Sequence, residues 1–312
     1  MARVENPEPE VSRHALRVAW SAMAAIVVIS GFSFTVMKIA TFYSGPFTFS
    51  AQRYVIGTVA LFVALLVTRS RLKPTPWLPT IIIGLTQTCG FQALAQLALT
   101  SGAAGKTTLL LYTMPFWVVP MAWLLLHERP NRRRWLYIGL ACVGFACVVE
   151  PWGTIGTPRS ILLALLGGLV WSVATVLSKR VFRQHPEVTP LQLTAWQMLV
   201  GAIALVVVLA FVPERQTAWG LPYIGTLLYT GILSSALSWA LWAIVVQRLP
   251  ANVAGLAALA VPVATVFFSW AALGERPSPS EWIGIVLVGA ALIGLNLFAS
   301  PRRPRSAGSR TA

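Results

Sequence analysis

Long apolar runs of helix length, separated by short polar or proline-containing connectors, recur along nearly the whole chain. They fall at roughly 16–40, 46–68, 78–99, 104–126, 133–149, 160–179, 190–211, 221–247, 252–273 and 281–299. A bilayer core of about 30 Å needs about 20 apolar residues per helix, so these runs predict ten membrane-spanning helices. Barrel strands are excluded, because every run is far longer than about ten residues and none alternates. The run at 133–149 is short and the one at 221–247 long, so boundaries are least defined there. The longest connectors, Arg69–Trp77, His127–Arg134 and Glu150–Arg159, leave no room for a soluble catalytic or ATP-hydrolysing domain.

The runs come in two related sets. Glu128-Arg129-Pro130 recurs as Glu275-Arg276-Pro277, a shift of 147. The same shift carries Gly84 to Gly231, Pro115 to Pro262, Trp123 to Trp270, Leu126 to Leu273 and Trp135 to Trp282. Upstream, Pro46 and Gly57 match Pro190 and Gly201 with a shift of 144, and Lys38 matches Lys179 with a shift of 141. Short loop insertions account for the change. The chain therefore divides into a tail at 1–15, a first five-helix repeat at 16–149, a second at 160–299 and a basic tail at 300–312. Five spans is an odd number, so the second repeat must enter the membrane in the opposite sense. Such inverted repeats present similar gates to the two sides, and rocking between them is alternating access.

Composition agrees. Mean hydropathy is +0.72, with 56% hydrophobic and only 11% charged residues, against about 25% charged in soluble proteins. The net charge of +15 would suggest nucleic acid if it were a surface patch, but its placement points to topology. With a cytoplasmic N-terminus, Arg69, Arg71, Lys73, Arg129, Arg132, Arg133, Arg134, Lys179, Arg180, Arg183 and Arg248 all lie on the inside, with the tails. The other side keeps Arg159, Arg215 and Arg276, with Lys38, Arg53 and Lys106 at or inside helix ends. That is the positive-inside asymmetry. It predicts a multi-pass protein of a bacterial inner membrane with both termini cytoplasmic, and no nucleic-acid partner. The apolar run after Met1–Arg17 is too long for a signal-peptide core and predicts a first helix that stays attached. Cys89, Cys142 and Cys147 lie within predicted spans and show no disulfide or metal spacing.

The stretches Leu124–Arg129 with Trp135–Gly144, and Leu273–Arg276 with Trp282–Gly289, resemble the paired signature of the EamA-type family of the drug/metabolite transporter superfamily. Ala103–Trp117, containing Tyr112-Thr113-Met114-Pro115-Phe116-Trp117, is similar to that family's fourth helix. The likeness covers about 16–299. It implies an all-α fold of ten transmembrane helices in two inverted five-helix repeats, and movement of small metabolites, often amino-acid export. One departure is Ser30, where the first repeat usually has tryptophan; the second keeps Trp171.

Two prolines sit near the middle of corresponding spans. Pro115 and Pro262 remove a hydrogen bond and crowd the carbonyl four residues back, which would free the carbonyls of Leu111 and Ala258. Bare backbone at membrane depth is tolerated where it lines a watery cavity, so both are expected as helix-break or gating positions. The polar and aromatic residues Gln87, Gln92, Tyr112, Trp171, Ser238, Trp239 and Trp242 are expected to line an uncharged, hydrogen-bonding cavity between the repeats. Gln92 and Gln96 share one face, and Ser234, Ser238 and Trp242 form a stripe. Ser and Thr alone are as well explained by helix packing, but the glutamines are costly to leave unpaired. Arg53, about two turns into the second span, needs a reason at that depth; a carboxylate-bearing solute and a helix C-terminus are equally open.

The nine carboxylates, Glu5, Glu8, Glu10, Glu128, Glu150, Glu187, Glu214, Glu275 and Glu281, all fall in tails, connectors or helix ends. Glu128 and Glu275 are expected to cap the helix that follows each of them. No titratable acid is predicted at midplane, which weakens proton-coupled drug export and leaves an intramembrane enzyme without its acid/base pair or metal ligands. Gly102–Thr108 imitates a phosphate loop, yet Thr100 replaces the first glycine and no strand precedes it; Lys106 there is expected at the headgroups. The expectation is a secondary or facilitative transporter that exports a small polar metabolite, an amino acid or relative, by alternating access between the inverted repeats. It has the lipid bilayer as its surroundings and needs no cofactor, catalytic residue, ATPase subunit or second copy.

Overall fold

The computed structural model describes residues 13–40, 42–101, 109–150, 157–273 and 278–297. Lys106, Glu275, Arg276 and both tails lie outside them. The described residues form an all-helical bundle of ten spans. The first repeat contains α1 (Arg13–Ala40), α2 (Pro46–Val67), α3 (Trp77–Ile83, Gly84–Gly90 and Phe91–Ser101 in succession), α4 (Leu109–Leu126) and α5 (Arg132–Val149). The second contains α6 (Pro158–Gln184), α7 (Pro190–Leu209), α8 (Leu221–Arg248), α9 (Ala251–Ala257 and Ala260–Leu273) and α10 (Pro279–Leu297). Proline opens α2, α6, α7 and the first part of α8, where its missing N–H costs nothing. Thr189 and Gln192 add a reciprocal capping box at α7.

The repeats do not pack as two separate bundles. α1 packs on α8 and α9 of the second repeat, and α6 packs on α3 and α4 of the first. α2 meets its own counterpart α7, and α5 meets α10. At the centre, backbones approach through matching glycines. A Cβ on Gly57 would lie 3.0 Å from the Gly231 carbonyl oxygen, and one on Gly201 would lie 2.7 Å from the Gly84 oxygen. Their neighbours correspond as well: Val200 presses on Gly84 as Ile56 presses on Gly231. In a membrane, where apolar side chains gain little by leaving lipid, such close small-residue contacts supply the association energy.

Two departures from regular helix occur at equivalent places. Gly84–Gly90 in α3 and Tyr229–Leu237 in α8 are π-helical. Phe91 N–H reaches Thr86 and Ser238 N–H reaches Leu233, each five residues back. α4 is interrupted at Tyr112–Thr113 and α9 at Ala258–Leu259, before each resumes at Met114 and Ala260.

The expectation that Pro115 and Pro262 themselves break the spans and leave bare carbonyls needs correction, because each interruption falls just before its proline. Pro115 lies in the first turn of a half-helix, where its ring needs no bond. The Ala258 carbonyl is not bare either, since it accepts from Val261 N–H at 3.0 Å. The Leu111 carbonyl is packed toward Gly168 of α6. α6 also runs past the expected 179 to Gln184.

Gly201→Ala is expected to force α7 off α3 and lower stability by about 1–3 kcal/mol. Gly225→Ala, with nothing within 4 Å of its would-be Cβ, should leave the melting temperature unchanged or slightly higher. Thermal unfolding of the two purified variants checks both.

Candidate functional site

The exchanged packing leaves a cavity of about 100 Å³ between the repeats. α1 contributes Ser30, Ser33 and Met37, α2 contributes Arg53 and Tyr54, and α3 contributes Phe91, Gln92 and Gln96. The second repeat answers with Trp171 from α6 and Ser234, Ser238, Trp239 and Trp242 from α8. The interrupted spans supply Leu111, Tyr112, Ala258 and Val261. The lining at the ends of α1 and α3 and the start of α2 carries the cavity from mid-bundle toward the end away from the basic connectors.

Arg53, Gln92, Tyr112, Trp171, Ser238, Trp239 and Trp242 are thus brought together. Gln87 is not among them. It borders a separate small void with Gln197, Ser178 and Thr194. Five residues separate it from Gln92, off the stripe that spacing by four gives Gln92 and Gln96. Pro115 and Pro262 do not line the cavity; residues just before each proline do, together with Val261. Pro115 instead lies against Gly255 at the start of α9.

One wall is aromatic. The Trp171 ring meets Phe91 at 5.1 Å, Tyr112 at 5.6 Å, and Trp239 and Trp242 at 5.7 Å between centroids. Ser30 occupies the corresponding position in the first repeat, and the cavity extends to it. The other wall is polar. Gln92 and Gln96 both donate to Ser50 Oγ at 3.1 Å, and Ser50 donates to the Pro46 carbonyl.

Arg53 is 5% exposed. It donates to Met37 Sδ at 3.0 Å and to Tyr54 Oη at 3.2 Å, and it stacks over the Tyr54 ring. Trp239 Nε1–H also donates to Tyr54 Oη. Among the described residues no carboxylate pairs with Arg53. Of the two readings open for it, the structure places no helix C-terminal carbonyl among its hydrogen-bond partners.

Each end of the bundle is tied by a carboxylate. At the basic end, His127 in a left-handed conformation (φ 57°) ends α4 and turns Glu128 back into the protein. Glu128 accepts from Arg183 of α6 at 2.7 Å and from the Ala251 N–H at the start of α9 at 2.7 Å. It therefore caps a helix of the other repeat, not the helix that follows it. The reason is geometric: the left-handed residue reverses the chain away from α5. Burial pushes its carboxyl up, while Lys179, Arg183 and the Ala251 and Asn252 N–H groups pull it down. Lys179, expected as a topology charge at the cytoplasmic end of its span, is buried and donates to the Gln247 and Leu249 carbonyls that end α8. At the opposite end Glu214 accepts from Phe47 N–H at 2.9 Å and Thr48 N–H at 2.6 Å, capping α2. Sequence periodicity could not find Glu214, whose partners are 167 and 166 residues away.

An inverted-repeat helical bundle with a polar and aromatic cavity on its pseudo-symmetry axis is the architecture of a secondary transporter. The sequence matches the EamA-like transporter family over residues 18–150 and again over 158–297. The chain belongs to that family, and it is a multi-pass membrane transporter. It is similar to the "Uncharacterized transporter YoaV" of Bacillus subtilis (strain 168), at 28% identity over 289 residues covering 89% of this chain and 96% of the relative. It is also similar to the "Probable amino-acid metabolite efflux pump" of Salmonella typhimurium, at 24% identity over 282 residues covering 88% and 92%. A solved crystal structure shares the fold with TM-score 0.76 at 19% identity, covering 92% of this chain and 97% of that one.

Glu128→Ala would leave the Ala251 N–H unpaired and take away the carboxylate partner of Arg183, whose side chain is 40% exposed and still donates to the Leu126 carbonyl. A destabilisation of about 1–3 kcal/mol is expected, smaller with Glu128→Gln, which can still accept. Denaturation of both variants in one detergent measures the difference.

Proposed function

We propose that the chain exports a small polar metabolite, an amino acid or close relative, by alternating access without nucleotide hydrolysis. The single observation that carries this is the cavity between the repeats, with hydrogen-bonding groups on one wall and packed aromatic rings on the other. Its size supports a metabolite over a bulky drug, since an apolar cavity of about 150 Å³ is filled by one benzene. The name of the Salmonella typhimurium relative supports the same solute class. The substrate-facing residues in this reading are Arg53, Gln92, Tyr112, Trp171, Ser238, Trp239 and Trp242, and the breaks before Pro115 and Pro262 act as gating points.

The distribution of basic connectors supports a bacterial inner-membrane protein with both termini cytoplasmic. In that orientation the Glu128–Arg183 clamp shuts the cytoplasmic end while the cavity reaches outward. Because α1 and α6 of the repeats at 16–149 and 160–299 each pack on the opposite repeat, each arm of the rocking unit combines helices of both repeats. One chain contains both arms, so a monomer suffices for transport.

Flux of radiolabelled amino acids into proteoliposomes tests the function. Downhill transport is expected to run at nearly the same rate with or without a pH gradient, because among the described residues no carboxylate lines the cavity. Uphill accumulation driven by a proton gradient alone would favour proton-coupled export instead. Ser30→Trp, which fills the open side of the cavity, should cut flux by about tenfold or more if ~1.4 kcal/mol of solute binding is lost.

Single cysteines at Arg71 and Arg159, in a background lacking Cys89, Cys142 and Cys147, test the orientation. An impermeant thiol reagent applied to intact cells should label position 159 and spare position 71; the reverse pattern would invert the topology.

A further inference from the structure

We infer that the cavity selects its solute by a carboxylate group received at Arg53, and that it does not require an ammonium group. This rests on the transport reading above and narrows it to a chemical class.

The polar atoms left over in the cavity wall all point the same way. Arg53 Nε, Trp171 Nε1, Trp242 Nε1, Ser33 Oγ and Ser238 Oγ are buried and have no hydrogen-bond partner within the protein. The arginine and tryptophan nitrogens can only donate, and the two hydroxyls can donate. A set of unanswered donors calls for a ligand rich in acceptors. Arg53 is the strongest of them. The residue is 5% exposed and its Nε is buried. Its partners are a thioether sulfur and a phenol that is shared with Trp239. Its planar fork matches two carboxylate oxygens, and such charge-assisted pairs are the strong ones.

The backbone adds the same sign. The second halves of α4 and α9, 13 and 14 residues long, begin just after cavity-lining residues at Tyr112 and Ala258. Half-helix N-termini carry positive potential, the device by which interrupted helices hold anionic groups in transporters. Among the described residues an ammonium group would find no acid in the lining, only neutral acceptors such as the Gln92 and Gln96 side-chain oxygens and the faces of Trp171, Trp239 and Trp242. Those rings suit the apolar remainder of the solute.

The test uses the full chain in nanodiscs and matched probes on three skeletons. For alanine these are alanine, propionate and ethylamine; for leucine, leucine, isocaproate and isoamylamine; for phenylalanine, phenylalanine, hydrocinnamate and phenethylamine. Affinities come from titration calorimetry. On at least one skeleton both acids should bind, with the amine about tenfold or more weaker, a difference of ~1.4 kcal/mol. Arg53→Gln should remove that preference, and Arg53→Lys should restore part of it. The comparison within the unaltered protein stands even if a variant fails to fold. The proposal is overturned if the amines bind as tightly as the acids, if no acid binds, or if Arg53→Gln keeps the acid affinity. Flux separates the two levels. Acids that bind yet never cross the membrane would sink the transport reading alone. Solutes carried without regard to their carboxylate would sink this one alone.

Discussion

Backbone-to-backbone contact between the repeats is the constraint on which the molecule depends. Gly57 against Gly231 and Gly84 against Gly201 let α2 approach α8 and α7 approach α3 more closely than any side chain permits. Each contact joins one repeat to the other, so neither half completes its own core. Once these four helices are fixed, α1 and α6 have only the exchanged positions to occupy, and the cavity is the space their polar faces enclose. Thr88 Oγ1–H donating to Gln197 at 2.9 Å locks one of the two crossings. Its counterparts at the other crossing are Ser235 and Arg53. There a cation replaces an amide, and the cavity acquires its charge.

The closures at the two ends differ in chemistry although the halves are related. The basic end is held by an ion pair and a helix cap that converge on Glu128 from α6 and α9. The other end is held by Glu214 on the first turn of α2, with Arg215 donating to the Ser44 carbonyl and Thr217 bonded to Ser44 Oγ. The first closure joins one repeat to the other through a long charged side chain. The second ties a connector of the second repeat to the entry of a first-repeat helix through backbone groups. Separation of the halves at one end therefore breaks different bonds from separation at the other.

Most of the fold was legible in the sequence because lipid imposes a simple rule: each span must be apolar and long. The run lengths, the shift of 147 and the odd count of five give the ten-helix inverted plan that the family match and the fold bear out. Exchange of partners between the halves was not legible, since matching glycines show that contacts exist but not which glycine each one meets. Gln92 and Trp171 lie on the cavity because regular helical spacing carries them there, whereas Gln87 sits within a π-helical stretch and faces α7. Lys179 read as a topology charge, but its stem reaches the open carbonyls at the end of α8. Those carbonyls come from residues 68 and 70 positions away, beyond any local pattern.

The two widened stretches carry a record of ancestry. The shift between halves is 147 within them, from Gly84 to Gly231, and still 147 after them, from Pro115 to Pro262. The widening of α3 recurs at the matching place in α8, although one stretch has 7 residues and the other 9, as expected of an irregularity copied when one half gave rise to the other. The π-helical turns of α3 and α8 end at Gly90 and Leu237, again 147 apart. Deleting one residue from a single stretch would put the two walls of the cavity out of step, so an insertion once duplicated can be lost only from both halves together.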